Sequence, residues 1–421
     1  MFEGFLSFCR DLDGRVKVAI LGAGVQNWSV GFSNQYNQLY ARGLGAEYVE
    51  IGSLNSISGA VTSLAAVPLG WIAESYGVKR VLLLGFLCSV LSAVVFGLAG
   101  NWWTLIPAFV LADLALRIIN PLTDVIFINC TRPGQSGTVM GLSRVVWGLL
   151  NIFAPIVAAV MVASFGGINV EGIRPLYYVN FFFGVLVFIF VALKLETLPA
   201  GIQRGEEALG ARMSRFFQDF KELFEGERWL KRWMVARTLQ QFAMRMAFPF
   251  LPLYMVNVKG ADPFILGVVG AASAAVSSLL QVPVGRLSDR IGRKRAYYLL
   301  RPISYLGTFL LILAPRPEYL ILVGLLGTVG TAGALGGGAG GVSFTPLITM
   351  HWEMVPGEKR GRWYSMEGFM GISAIPAAIL GGLLWEYGLT TWVLLIPILL
   401  EVLIVIPIMI TVPDTLNRDD Q

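Results

Sequence analysis

Charge is scarce in this chain. Only 14% of its 421 residues are Asp, Glu, Lys or Arg, where a soluble globular protein carries roughly 25%. A fold with so few charges could not be wetted over its whole surface, which excludes an ordinary cytosolic enzyme and a disordered chain. The three cysteines, Cys9, Cys88 and Cys130, are too few and too far apart for a disulfide framework or a thiolate metal motif. The single histidine, His351, excludes a multi-histidine metal site. The glycine cluster from Gly333 to Gly341 is not followed by Lys-Ser or Lys-Thr, so it is not a phosphate loop. Around Glu3, Arg10, Asp11, Asp13, Arg15 and Lys17 there is no short apolar core with a small-residue cleavage site, so no removable signal peptide is expected. No catalytic triad can be assembled. The expectation is a protein that is not an enzyme, with no cofactor and no metal.

What the chain has in quantity is apolar sequence: 55% of residues are hydrophobic and the mean hydropathy is +0.67. At about 20 residues per crossing the apolar runs predict twelve spans. The first six lie at about 17–41, 47–74, 79–99, 102–129, 137–164 and 176–196. The second six lie at about 231–257, 263–287, 294–314, 318–349, 362–386 and 390–412. Arg10, Arg15, Lys17, Lys79, Arg80, Arg132, the basic residues from Lys194 to Arg232 and from Arg286 to Arg295, and Lys359 to Arg362 all fall on one side. The other side holds Arg42, Arg174, Lys259 and Arg316. Basic loops stay in the cytoplasm, which predicts a multi-pass protein of the cell membrane with both termini inside. The net charge of +5 is then topology, and no nucleic-acid partner is expected.

The one long polar connection divides the chain into residues 1–196, a linker at 197–230 and residues 231–421. Within the linker Phe216, Phe217, Phe220, Leu223 and Phe224 recur at helical spacing among charges, the pattern of a helix lying on a membrane face. The two long segments repeat one another. Val67-Pro68-Leu69-Gly70 through Gly77-Val78-Lys79-Arg80 matches Val282-Pro283-Val284-Gly285 through Gly292-Arg293-Lys294-Arg295. Glu196-Thr197-Leu198 matches Asp414-Thr415-Leu416, and Arg132-Pro133-Gly134 matches Val355-Pro356-Gly357, at similar offsets. The pattern predicts an all-α membrane protein built as two six-helix bundles, a transporter architecture with its site between the halves near the midplane.

The run Gly285-Arg286-Leu287-Ser288-Asp289-Arg290-Ile291-Gly292-Arg293-Lys294-Arg295 resembles the loop motif of the major facilitator superfamily, Gly-x-Leu-Ala-Asp-Arg-x-Gly-Arg-Lys. It lies between spans 8 and 9, with a weaker copy between spans 2 and 3 that has Glu74 for Asp and Ser75 for Arg. The resemblance implies a cytoplasmic gate built from Gly70, Glu74, Gly77, Arg144, Gly285, Asp289, Gly292 and Arg293. By analogy Asp289 would face Arg144, and Glu74 would face Arg360 and Arg362. It also implies that spans 1, 4, 7 and 10 line the cavity. Span 5 reads Ala154-Pro155-Ile156-Val157-Ala158-Ala159, similar to the Gly-Pro-x-x-Gly-Gly of the superfamily's drug–proton antiporters but without the glycines.

Charge inside a membrane costs at least ~2.5 kcal/mol at a helix centre, so each such residue is a functional candidate. Arg117 and Arg245 fall near the midplane of spans 4 and 7. Asp113 stands one turn before Arg117, placed either to neutralise it or to carry a proton. On span 1 Asn27, Gly31, Asn34 and Gln38 share a face, flanked by Gln26, Trp28 and Gln35, with Gln240 and Gln241 as partners in the other half. Such amides face a cavity or bond other helices. The expected substrate cavity is therefore Asn27, Asn34, Gln38, Arg117, Gln241 and Arg245, with Asp113 and Glu367 as proton-coupling candidates. Glu401 lies at a depth to meet Arg301, the glycine-dense span 10 is expected to act as a gate, and His351 falls in the loop after span 10 with no role. Together these features predict a monomeric transporter of a small organic solute, working by proton-coupled efflux. Two alternatives stay open: a symporter or uniporter for an organic anion, and a membrane sensor that binds a solute without moving it.

Overall fold

The computed structural model describes residues 12–131, 136–196, 228–329, 337–354 and 371–414. The first half comprises α1 (Gly14–Ser33), α2 (Asn37–Gly43), α3 (Tyr48–Tyr76), α4 (Val78–Leu98), α5 (Leu105–Asn129), α6 (Ser136–Ser164) and α7 (Val170–Lys194). The second comprises α8 (Arg228–Ala247), α9 (Pro263–Ile291), α10 (Arg293–Leu313), α11 (Leu320–Leu326), α12 (Phe344–Glu353), α13 (Ile375–Glu386), α14 (Trp392–Leu400) and α15 (Ile406–Ile410). Among the described residues seven helical stretches are long and apolar enough to cross a membrane. α8 falls outside that set because it carries Arg228, Lys231, Arg232, Arg237 and Arg245. The amphipathic linker segment, Cys9, Arg132, Arg360, Arg362 and Glu367 lie outside the described residues.

Local chemistry explains where the helices begin. Asn169 caps α7, its side chain accepting the Gly172 N–H at 2.7 Å, so this helix starts six residues before the apolar run at Leu176. Asp262 caps α9 in the same way through Ile265 N–H, with Pro263 at the first helical position. The two repeat copies share a backbone. Gly77 precedes α4 at φ 86° and Gly292 precedes α10 at φ 102°. Both lie in the left-handed region that glycine occupies without a Cβ penalty.

Span 10 departs from the continuous helix expected over 318–349. α11 ends at Gly327, where φ is 80°, and helix resumes as one turn at Gly338–Gly341 before α12. The glycines break the helix because they let backbones approach: a Cβ on Gly324 would lie 2.6 Å from the Val269 carbonyl oxygen of α9, and one on Gly340 would lie 2.6 Å from Ser304 N of α10.

Among the described residues the buried apolar side chains form three clusters. One joins both halves at the end remote from Gly77 and Gly292, and contains Phe32, Tyr40, Leu54, Phe250, Tyr254 and Trp385. The other two lie toward the motif loops and each belongs to one half, with Val81, Phe127 and Val191 in the first and Trp233, Tyr297 and Leu347 in the second. Among the described residues the halves therefore share a core at the far end and have separate cores at the motif end. At the far end Tyr48 meets Trp385 with ring centroids 5.1 Å apart, and Val49 N–H donates to Glu386 at 3.0 Å.

Candidate functional site

A cavity of about 220 Å³ lies between the halves. α1, the turn after it and α2 contribute Asn27, Gly31, Asn34, Gln35 and Gln38; α6 contributes Asn151 and Pro155; the stretch after α8 contributes Phe248, Leu251 and Met255. α9 adds Val269, Gly270 and Ser273, and the broken span 10 adds Gly327 and Thr328. Missing side chains make room for polar ones. A Cβ on Gly31 would lie 3.0 Å from Asn151 Oδ1, and one on Gly270 would lie 3.0 Å from Gln35 Oε1, which reaches across from the first half. Among the described residues that line it, none is Asp, Glu, Lys or Arg.

Span 1, made of α1, the turn after it and α2, sorts its polar residues onto two faces. Asn27, Asn34 and Gln38 line the cavity. Gln26, Ser29, Ser33 and Asn37 bond within the first half instead. Gln26 donates to Ser89 at 2.6 Å, Ser29 to Asn180 at 3.2 Å, Asn180 to Ser33 at 2.7 Å, and Tyr177 to Asn37 at 3.0 Å. Both uses of an intramembrane amide thus occur along one span. Asn151, Ser273 and Thr328 were not singled out in the sequence. A lone amide in the apolar run of α6 was the available signal for Asn151, whereas Ser273 and Thr328 carry none.

Arg117, Gln241 and Arg245, expected in the same cavity, are not among its described lining; of α5 it is Leu116 that faces it. Arg117 and Arg245 instead gather at Asp113, whose charge acts on both. Asp113 accepts a hydrogen bond from Ser58 of α3. The physical reason is a notch: at Gly59, next to Ser58, a Cβ would overlap the Arg245 guanidinium. The arginine of the second half therefore reaches into the first.

Among the described residues Asp289, Arg293 and Arg144 pair within their own halves. Asp289 pairs with Arg293 one turn on, and Arg293 also bonds Glu353 at 2.7 Å and Ser288 at 3.0 Å. Arg144, expected opposite Asp289, lies 3.7 Å from Asp124 and 5.7 Å from the Trp147 ring. With separate cores at this end, each charge meets the nearest partner of its own half. Gly70, Gly77, Gly285 and Gly292 lie in or beside α3 and α9 as the repeat requires.

A buried network fills the second half. Arg301 and Glu401, each 1% exposed, pair at 2.6 Å. Tyr297 donates to Glu401, and Gln240 donates to Tyr297 at 3.0 Å. His351 is not in a loop: it lies in α12, 4% exposed, and accepts from Trp233 Nε1 at 3.1 Å. Among the described residues no group of His, Cys, Asp and Glu could hold a metal ion.

The profile of a family described as Major Facilitator Superfamily matches residues 19–335 and 233–420. The riboflavin transporter RibZ of Clostridioides difficile (strain 630) is 22% identical over 291 residues, 60% of this chain and 63% of that one. Less than two thirds of that relative is therefore covered. The structure of the nucleoside transporter NupG superposes with TM-score 0.70 at 15% identity, covering 95% of this chain and 99% of the other. That of a D-xylose-proton symporter gives 0.69 at 13% identity, covering 96% and 98%. A bacterial homologue of the human lysosomal transporter Spinster, inward-facing and unoccupied, gives 0.65 at 16%, covering 89% and 84%.

Proposed function

The chain belongs to the Major Facilitator Superfamily and is a membrane transporter of that type, and we propose that it moves a small, uncharged, hydrogen-bonding organic solute by alternating access. The observation that carries this reading is the cavity lining. Asn27, Asn34, Gln35, Gln38 and Asn151 offer donors and acceptors together, beside the apolar faces of Phe248, Leu251, Met255 and Val269. A charged solute would surrender its hydration there without a counter-charge in the described lining. Nucleosides, D-xylose and riboflavin, named for the proteins this chain is similar to, have the hydroxyl and ring groups such a lining suits.

The two halves, 1–196 and 231–421, rock about this cavity. The shared far-end core and the separate motif-end cores support a state open toward the motif loops. With those basic loops and both termini in the cytoplasm, that state is inward-facing at the cell membrane. Energy comes from protons moving against exported solute. We assign Asp113 to carry them, a reading supported by its neighbour Arg245 belonging to the other half; Glu367 is a second candidate. The motif residues latch the inner end when the halves close there. The protein acts as a monomer, without nucleic acid and without catalysis. An organic anion is the second reading, favoured by Arg117 and Arg245 sharing one carboxylate.

Thermal unfolding of the purified chain against matched panels of neutral, anionic and cationic solutes tests the reading. A ligand at 100 times its dissociation constant stabilises the folded state by ~2.7 kcal/mol. A neutral polyhydroxylated or heterocyclic solute is expected to stabilise the wild type and fail on Gln38→Leu. Stabilisation by anions alone overturns it in favour of the second reading.

A further inference from the structure

A second space, of about 40 Å³, lies behind span 1 within the first half. Residues of α1, α2, α4, α5 and α7 line it, and none of the described ones comes from the second half. Val30 and Leu116 line both this chamber and the amide-lined cavity, so these two apolar side chains form a partition between them. On the chamber side the wall is rich in hydroxyls and amides, among them Gln26, Asn37, Ser89 and Ser92.

Several of these groups have bonding capacity left over. Ser89 Oγ accepts from Gln26 at 2.6 Å, and among the described residues its own hydroxyl donates to none. Asn37 accepts from the Tyr177 hydroxyl at 3.0 Å, and among the described residues its amide N–H groups donate to none. Ser92 donates to the Ala108 carbonyl at 2.8 Å, and its oxygen accepts from none of the described residues. Hydrocarbon supplies no partner at this depth, and a buried polar group without one is costly. None of the described lining residues is Asp, Glu, Lys or Arg, so the chamber suits a neutral ligand. Its volume holds about two or three waters at roughly 10–15 Å³ each. It is too small for a nucleoside or a sugar.

We propose that this chamber is an internal hydration site of the first half. A small cluster of ordered waters accepts from Ser89 and Asn37 and donates to Ser92. These waters back the span that presents Asn27 and Asn34 to the solute. They join it to α4 through bonds that exchange partners readily, where a packed apolar wall would fix it in place. The site stands whichever solute the amide-lined cavity takes.

Hydroxyl-radical footprinting of the full chain in detergent, by X-ray radiolysis and mass spectrometry, tests the site. The radicals form from water and oxidise the side chains beside it. Tyr177 and Phe96 line the chamber at 1% and 3% exposure. Tyr254 and Phe127, at 2% and 0%, line neither space and serve as matched controls. Tyr177 and Phe96 are expected to oxidise faster than their controls. Ala93 also lines the chamber, so Ala93→Leu fills it and is expected to bring both rates down to the control level. Ala112→Leu fills it from α5 and supplies the same comparison where Ala93→Leu does not fold. Oxidation of Tyr177 and Phe96 at the rate of Tyr254 and Phe127 in the wild type overturns the proposal. So does faster oxidation that persists in a folded, filled variant.

Discussion

Arg301 and Glu401 are both 1% exposed, and each is held by a bidentate contact, at 2.6 and 2.7 Å. The Arg301 guanidinium also lies 4.6 Å from the Phe344 ring centre. Taking two charges from water is offset only by such geometry, so removing one partner strands the other. Glu401→Gln or Arg301→Met alone is expected to destabilise the chain by about 3–5 kcal/mol, whereas the double change to Met and Leu costs much less. A double-mutant cycle on thermal unfolding measures the difference. This pair was legible in the sequence, because depth along two apolar spans places both residues at one level. The surroundings of Arg245 were not. Its neighbour in the other half is Gly59, a residue with no side chain to announce a contact, and no periodicity links α8 to α3. Gly59→Val is expected to expel the guanidinium and lower folding yield, read by size-exclusion chromatography of the expressed protein.

At the scale of the element, span 1, α1 followed by α2, shows how one crossing serves two purposes. Its stripe of Asn27, Asn34 and Gln38 was readable from spacing alone, and it lines the cavity. That Gln26, Ser29 and Ser33 bond α4 and α7 required knowing which helices lie behind. The pair α3 and α13 forms the far-end closure through small residues. A Cβ on Gly382 would lie 2.5 Å from the Tyr48 carbonyl oxygen and 2.7 Å from Val49 Cα. Gly382→Val is expected to pry these helices apart and shift the population toward the state open at the far end. Distance measurement between spin labels on Glu47 and Tyr387 reads that shift; an unchanged distance distribution refutes it. The broken span 10 was the element least legible. Glycine density indicates that backbones approach, but only the packing against α9 and α10 shows the helix yielding at Gly327. Gly327→Ala places a side chain at φ 80° and against the Gly337 carbonyl, and is expected to cost upwards of ~1–2 kcal/mol by thermal unfolding.

The whole molecule repeats itself, and this was the strongest signal in the chain. The two motif copies that match in sequence also match in backbone, at Gly77 and Gly292. What a single sequence could not give is the state of the two halves: the same latch residues serve a closed or an open inner end, and only the cores and ion pairs distinguish them. The orientation proposed from loop charge is directly testable. In a cysteine-free background, Glu47→Cys is expected to react with an impermeant maleimide in intact cells, and Arg80→Cys only after permeabilisation; the reverse pattern contradicts the topology. The central claim, that the amide-lined cavity is the path of an uncharged solute, is tested most directly by counterflow in proteoliposomes, using the neutral solute that stabilises the purified protein. Saturable exchange by the wild type, reduced at least about tenfold by Asn34→Leu or Gln38→Leu, is the expected result, since each substitution strands a solute hydrogen bond. Binding without exchange would make the chain a sensor, and exchange undiminished in both variants would place the path elsewhere.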